Sequence, residues 1–323
     1  MNKSAKSGRR SQQSLKVESK DVFIAGKLVR IARIDGEGYQ FLEDPEAALK
    51  VLRESGNRID LFTFIQKITE TTPKYNYPME WDNMAVIPVT NFDDWMKNQI
   101  DSKSRNMVRK AAKNGVVVKE VPFDDDLIRG ISEIYNESPL RQGRKFLHYG
   151  RDLESLRKIK ATFLERSIFI GAFFEDRLIG FIKMVTDENR SQAGLMHILS
   201  MIKHRDKAPT NALVAQAVKS CGERSIPNLW YANMAYGKKS DSALADFKKN
   251  NGFQKVDLPR YYVPLTLAGR MALHLDLQHG IYEKIPEPVA ATYRKIRGMW
   301  YAKKFPIEKQ NVRPKIASKI QTE

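Results

Sequence analysis

The chain has one cysteine in 323 residues, Cys221. An internal disulfide is excluded, and a cysteine-built zinc site lacks its ligands. The segment "AVKSCGERS" sets Cys221 near a helix C-terminus, where the dipole disfavours a thiolate, so it reads as packing. Long apolar runs are missing. The longest, "SIFIGAFF", is too short to cross a bilayer. The N-terminus "MNKSAKSGRRSQQSLK" is basic but has no apolar stretch of a secretory signal, so the expected location is cytoplasmic. Acid is scarce: 38 Asp and Glu face 55 Lys and Arg, giving a formal charge of +17. Such a balance favours nucleic acid, anionic lipid or a phosphate-bearing cofactor, unless it is a solvated basic surface.

Part of the excess lies at the ends. Residues 1–20 hold Lys3, Lys6, Arg9, Arg10, Lys16 and Lys20 against Glu18 alone, and residues 281–323 hold ten Lys/Arg against four Asp/Glu. With 42% hydrophobic residues the chain can bury a core of one large domain or two modest ones.

Residues 1–20 read as a disordered basic tail. "DVFIAGKLVRIARI" reads as a hairpin, "DPEAALKVLRESG" as a helix capped by Asp44, and "MAVIPV" as a strand, while "RIDLFTFIQKI" is ambiguous. "NFDDWMKNQIDSKSRNMVRKAAKNG" predicts one long helix from the Asn91 cap to Gly115, with Lys103, Arg105, Arg109, Lys110 and Lys113 on a basic face. From residue 116 to 266 the expected order is β-α-α-β-β-β-α-β-α-β-β, a mixed sheet with helices on both faces. Within it, Leu127, Ile128, Ile131, Ile134 and Tyr135 have helical spacing, and a hairpin turns at Glu175-Asp176. "FQKVD" and "RYYVPLT" read as two final strands, and the remainder as two helices split at Pro286 and Pro288.

The stretch "SMIKHRDKAPTNALVAQAVKSCGERSIPNLWYANM" reads as strand, basic loop, helix, strand. A helix start leaves backbone N–H groups unpaired and binds phosphate readily. Thr210 or Asn211 is expected to begin this helix, with His204, Arg205 and Lys207 just upstream.

This order resembles the GNAT superfamily of acyl-CoA N-acyltransferases. The resemblance is carried by that strand-loop-helix, by the hairpin "FIGAFFEDRLIGFIKMV" and by "ALADFKKNNGF", and it covers about half the chain. "WMKNQIDSKSRNMVRKAAKNGVVVKEV" is similar to the Fem-type branch, in which two GNAT-like units stand in tandem and an aminoacyl-tRNA often replaces acyl-CoA. The resemblance implies a mostly antiparallel sheet with helices on both faces. It implies an N-terminal α/β unit over 21–114, possessing a degenerate GNAT-like pattern, an acyltransferase domain over 115–266 and a helical basic extension over 267–323.

By that resemblance an acyl or aminoacyl group passes directly to an amine in a ternary complex, from acetyl-CoA or another acyl-CoA, or from tRNA. Ser200, Met201 and Ile202 are the expected donor-side amides, and His204, Arg205, Lys207, Thr210 and Asn211 would hold the donor's phosphates. The loop departs from the family pattern, since "HRDKAPTN" has no glycine. The family's leaving-group tyrosine is replaced by Lys248, which leaves Tyr236 as the candidate acid. His148 is a candidate base, and the neighbouring cations Arg141, Arg144 and Lys145 would lower its pKa. Those three cations and Tyr149 would receive an anionic acceptor. His197 reads as packed. His274 and His279 have no carboxylate at ligand spacing, so no metal is expected. The tail "RKIRGMWYAKKF" mixes cations with Trp300 and Tyr301, in the manner of a peripheral contact with RNA or an anionic membrane, or of helix packing. The competing function is a non-catalytic GNAT-like module that binds nucleic acid or such a membrane.

Overall fold

The computed structural model describes residues 15–141, 144–235 and 243–279, together with residues 289, 292, 296, 297 and 299–301. Among them one eleven-stranded sheet runs through the whole fold. The strands are β1 Lys16–Val17, β2 Lys20–Ala25, β3 Ile31–Ile34, β4 Leu61–Ile65, β5 Met79–Pro88, β6 Val117–Val121, β9 Ser167–Phe174, β10 Arg177–Thr186, β11 Ala193–Ser200, β12 Asn228–Asn233 and β13 Gln254–Pro264, and β7 Leu140–Arg141 pairs separately with β8 Arg144–Lys145. Their order in the sheet is β1-β2-β3-β4-β13-β5-β12-β11-β10-β9-β6. Two neighbouring pairs are parallel, β3 with β4 and β11 with β12; the rest are antiparallel. The expected mixed α/β architecture with a mostly antiparallel sheet is the one observed.

Aspartates start four of the described helices. Asp44 caps α1 (Pro45–Glu54), Asp101 caps α3 (Ser102–Lys113), Asp124 caps α4 (Asp125–Asn136) and Asp152 caps α5 (Leu153–Lys160), each carboxylate accepting from amides of the first turn. The five apolar positions of α4 are all buried, and they face β10. Helix α6 (Pro209–Glu223) packs on β9, β10 and β11 with Leu213, Val214, Ala217, Val218 and Cys221 fully buried. Burial pushes the Cys221 thiol up to about 12, which fits a packing role.

The structure differs from the sequence reading in three places. The long helix expected over 91–115 is broken. A short α2 (Phe92–Asp94) runs into a π-turn at Trp95–Gln99, Ile100 is extended, and Asp101 caps a new helix. Arg105, expected on the basic face, instead donates to the carbonyls of Met96, Lys97 and Ile100 and so closes the break. The two final strands are one. Pro259 sits within β13, its carbonyl accepting from Gln66 N–H just past the end of β4, so the missing donor falls where the β4 ladder has stopped. Pairing also begins inside the expected tail, because β1 starts at Lys16 and β2 at Lys20; residues 1–14 and most of the second C-terminal helix lie outside the described residues. The hairpin turn at Glu175-Asp176 matches expectation, with φ of 49° and 57° at its two centres.

Candidate active site

Strands β11 and β12 are paired at two positions, Ala193 with Leu229 and Gly194 with Trp230. Beyond Trp230 they part. Gly194 is required at the fork: a Cβ there would come within 2.4 Å of Trp230 Cε2, so only glycine lets the indole lie across the strand. Ala232, at φ 47°, turns the far wall away. On the near wall Met201 N–H donates to Ile179 O at 2.7 Å, towards β10. Directions alternate along a strand, so the N–H groups of Ser200 and Ile198 point away from β10, into the gap. Of the three expected amides, Ser200 thus faces the opening, while Met201 is engaged in the ladder and Ile202 donates to Glu137 at 2.6 Å. Ile198 was not foreseen; only strand register reveals it.

The loop after β11 is a 3-10 turn, Ile202–Lys207, followed by Ala208 at φ 55° and by Pro209 as the first residue of α6. The helix therefore starts one residue earlier than expected, and neither Thr210 nor Asn211 caps it. Thr210 Oγ1 lies 2.9 Å from Ser200 Oγ, tying the helix start to the strand end, and Asn211 binds Asn251 Oδ1 at 3.1 Å. Ala208 adopts the left-handed conformation that glycine usually supplies. The loop makes its sharp turn without glycine, although Pro209 removes one N–H from the helix start. Arg205 is exposed, and Lys207 Nζ lies 4.1 Å from the centroid of the Phe174 ring. Burial, with Lys203 and Lys207 nearby, lowers the pKa of His204.

Arg141 is not free for a substrate. It donates to Ser200 O at 2.9 Å and Ile134 O at 2.7 Å, and it pairs with Glu137 at 3.2 Å. Glu137 in turn accepts from the amides of Ile202 and Lys203. This clamp fixes the end of β11 against α4. Arg144, Lys145 and Tyr149 are exposed, as an acceptor contact would require.

His148 is half-buried and stacks on Tyr135 at 4.9 Å; burial first, then Lys160 and Arg151, lower its pKa. His197 pairs with Lys183 across β10 and β11, so the two share a face, and burial beside Lys160 and Lys183 pushes its pKa down to about 3. Lys183 Nζ is satisfied by Lys160 O and Thr162. Lys160, fully buried, has no hydrogen-bond acceptor for its Nζ, which lies over the rings of Tyr135 and Phe181. Burial lowers its pKa to about 7.

The far wall carries Lys248, on α7 (Ala243–Asn250). It is fully buried, donates to Asn233 O at 2.6 Å where β12 ends, and lies 4.5 Å from the Tyr231 ring centroid. Burial lowers its pKa to about 8. Sequence reasoning saw there only a missing tyrosine; the structure shows a weakened ammonium beside the gap. Tyr236 lies outside the described residues.

Next to Asn233 is a cleft of about 480 Å³, lined among others by Glu80, Trp81, Asp82, Arg260 and His279. Arg260 bridges Glu37 at 2.8 Å and Asp82 at 2.9 Å, and Asn233 donates to Asp82. Glu80, from β5, lies 2.7 Å from His279, and Asp276 is also close. Glu80 is thus brought to His279 by the fold, whereas Asp276 stands three residues before it in the sequence, a carboxylate at ligand spacing that the sequence reading overlooked.

No family model matches this chain, and no curated protein matches it in sequence. Solved structures do. FemX is 11% identical with a TM-score of 0.55, over 79% of this chain and 86% of that one. L-PGS from Bacillus licheniformis is 14% identical with a TM-score of 0.50, over 79% and 85%. The fold is GNAT-like, of the Fem type.

Proposed function

We propose that the chain is an acyltransferase that passes an acyl or aminoacyl group to an amine by direct attack in a ternary complex. The observation that carries this reading is the parting of β11 from β12 after two paired positions, which leaves backbone donors facing a gap. A donor carbonyl lying in that gap would meet Ser200 or Ile198 N–H, placed to stabilise the tetrahedral oxyanion. His204, Arg205 and Lys207 with the start of α6 would hold donor phosphates. Lys248, with its ammonium weakened to about 8, is suited to protonate the leaving group near neutral pH.

The acceptor approaches on the face that carries His148 and His197. Its amine has a second attraction in the carboxylates of the cleft beside Asn233, an acidic feature in a strongly basic chain. The reading is compatible with either an acyl-CoA or an aminoacyl-tRNA donor. Native mass measurement of protein purified from cells tests it, followed by calorimetry with acetyl-CoA, longer acyl-CoAs and charged tRNA. A retained or titratable donor is expected. Failure of every one to bind would remove the reading.

A further inference from the structure

The segment "RKFLHYGR", residues 144–151, joins β8 to α5 and contains no acid. Its cations Arg144, Lys145 and Arg151 are exposed, and none makes an ion pair among the described residues. The backbone is pinned at three places. Phe146 N–H donates to Pro139 O at 2.8 Å, Tyr149 N–H to Phe146 O at 3.2 Å, and Gly150 N–H to Asn136 Oδ1 at 2.8 Å. Alternate side chains turn inward: the rings of Phe146 and His148 pack against Tyr135 at 5.2 and 4.9 Å. The others turn out. Leu147 is 76% exposed and Tyr149 46%, and so is Leu153, the first residue of α5. Exposed apolar side chains are usually scattered singly. Here they stand close together in sequence, on an ordered loop, beside cations with no counter-charge.

An anionic partner fits the charge, and the apolar side chains decide which kind. Single-stranded nucleic acid binds through cations and stacking rings, and gains little from Leu147 or Leu153. A stable protein interface takes about 800 Å² from each partner, more than three side chains offer. A lipid surface uses the whole pattern. The leucines meet the acyl boundary, the tyrosine sits at headgroup level, and Arg144, Lys145 and Arg151 meet anionic headgroups. We propose that the loop 144–153 seats the face carrying His148 on an anionic membrane surface, with Leu147 as its inserted tip. The contact is peripheral: among the described residues no helix is long and apolar enough to cross a membrane. It is independent of the transfer chemistry, and either can fail without the other.

The test is sedimentation of the full chain with vesicles of phosphatidylcholine, alone or mixed with phosphatidylglycerol, at low and high salt. Binding to the mixed vesicles, weakened by salt and reduced about tenfold by Leu147→Asp, is expected. Leu267→Asp is the control for charge alone, since Leu267 is as exposed, at 75%, on α8 (Leu267–His274); it should bind nearly as the wild type does. Circular dichroism checks that both variants are folded. A second readout uses Leu147→Cys and Leu267→Cys, each labelled with a polarity-sensitive fluorophore; the native Cys221 is buried. The label at 147 should shift to the blue on the mixed vesicles, and the label at 267 should not. Absence of sedimentation would overturn the proposal. So would equal losses in the two Asp variants, an unshifted label at 147 on a chain that sediments, or binding to single-stranded RNA but to neither kind of vesicle.

Discussion

Two fully buried lysines stand on opposite sides of the fork. Lys248 has a carbonyl to bind, Asn233 O, and an aromatic face, Tyr231. Lys160 has aromatic faces, Tyr135 and Phe181, but no acceptor for its Nζ. Both lose basicity to burial, Lys248 to about 8 and Lys160 to about 7. The difference is in what holds the charged form. A hydrogen-bonded ammonium keeps its proton near neutrality and can give it up to a leaving group, whereas an ammonium without an acceptor is better off neutral. On the proposed reading, the same element of chemistry would serve as an acid on one wall and as a packing residue behind the other.

The sharpest way to break the comparison is to remove both charges in turn. Lys248→Met should lower the single-turnover rate of acyl loss from the donor by about 10²–10⁴-fold, the range general acid catalysis spans, with little change in the donor's dissociation constant. Lys160→Met should leave that rate within a few-fold of wild type. Equal losses in the two variants would mean that Lys248 has no special part in the chemistry.

A smaller effect is expected on the near wall. Arg205 is exposed on the donor loop, outside the Glu137–Arg141 clamp. Arg205→Glu should weaken donor binding about tenfold, the equivalent of about 1.4 kcal/mol, and the loss should shrink with added salt. An unchanged dissociation constant would move the phosphates away from this loop and leave the acidic cleft beyond β12 as the better-defined half of the site.

How much of this was legible in the sequence depends on distance along the chain. Local signals carried most of the helices: the Asp caps, the spacing of Leu127, Ile128, Ile131, Ile134 and Tyr135, and the Glu175-Asp176 turn are decided by neighbours a few residues away. The break at Ile100 was written in the sequence as well, as a second cap, Asp101-Ser-Lys-Ser, but the periodicity around it hid the signal. What could not be read was long-range. Glu80 reaches His279 across some 200 residues, and the continuity of β13 through Pro259 depends on where β4 stops. Lys248 could be placed at the family's tyrosine position from its Gly-Phe neighbour; its burial against Asn233 could not. Charge misled in one respect, because Arg141 and Arg105 looked like binding cations and are spent on backbone carbonyls.

The last test separates the lysines by stability. A lysine whose folded pKa lies below its unfolded value of about 10.4 binds fewer protons in the folded state between those two pH values. Stability therefore rises with pH across that window, by at most about 1.4 kcal/mol per pH unit for each proton. In the wild type the rise should begin near pH 7, as Lys160 releases its proton, and steepen near pH 8, where Lys183 and Lys248 follow. In Lys160→Met the rise between pH 7 and 8 should shrink to less than about half, since only Lys183 and Lys248 then contribute there, and reach its full slope only above pH 8. A wild-type midpoint that is flat or falling from pH 7 to 8 would show that Lys160 keeps its proton in the fold, and the contrast with Lys248 would go with it.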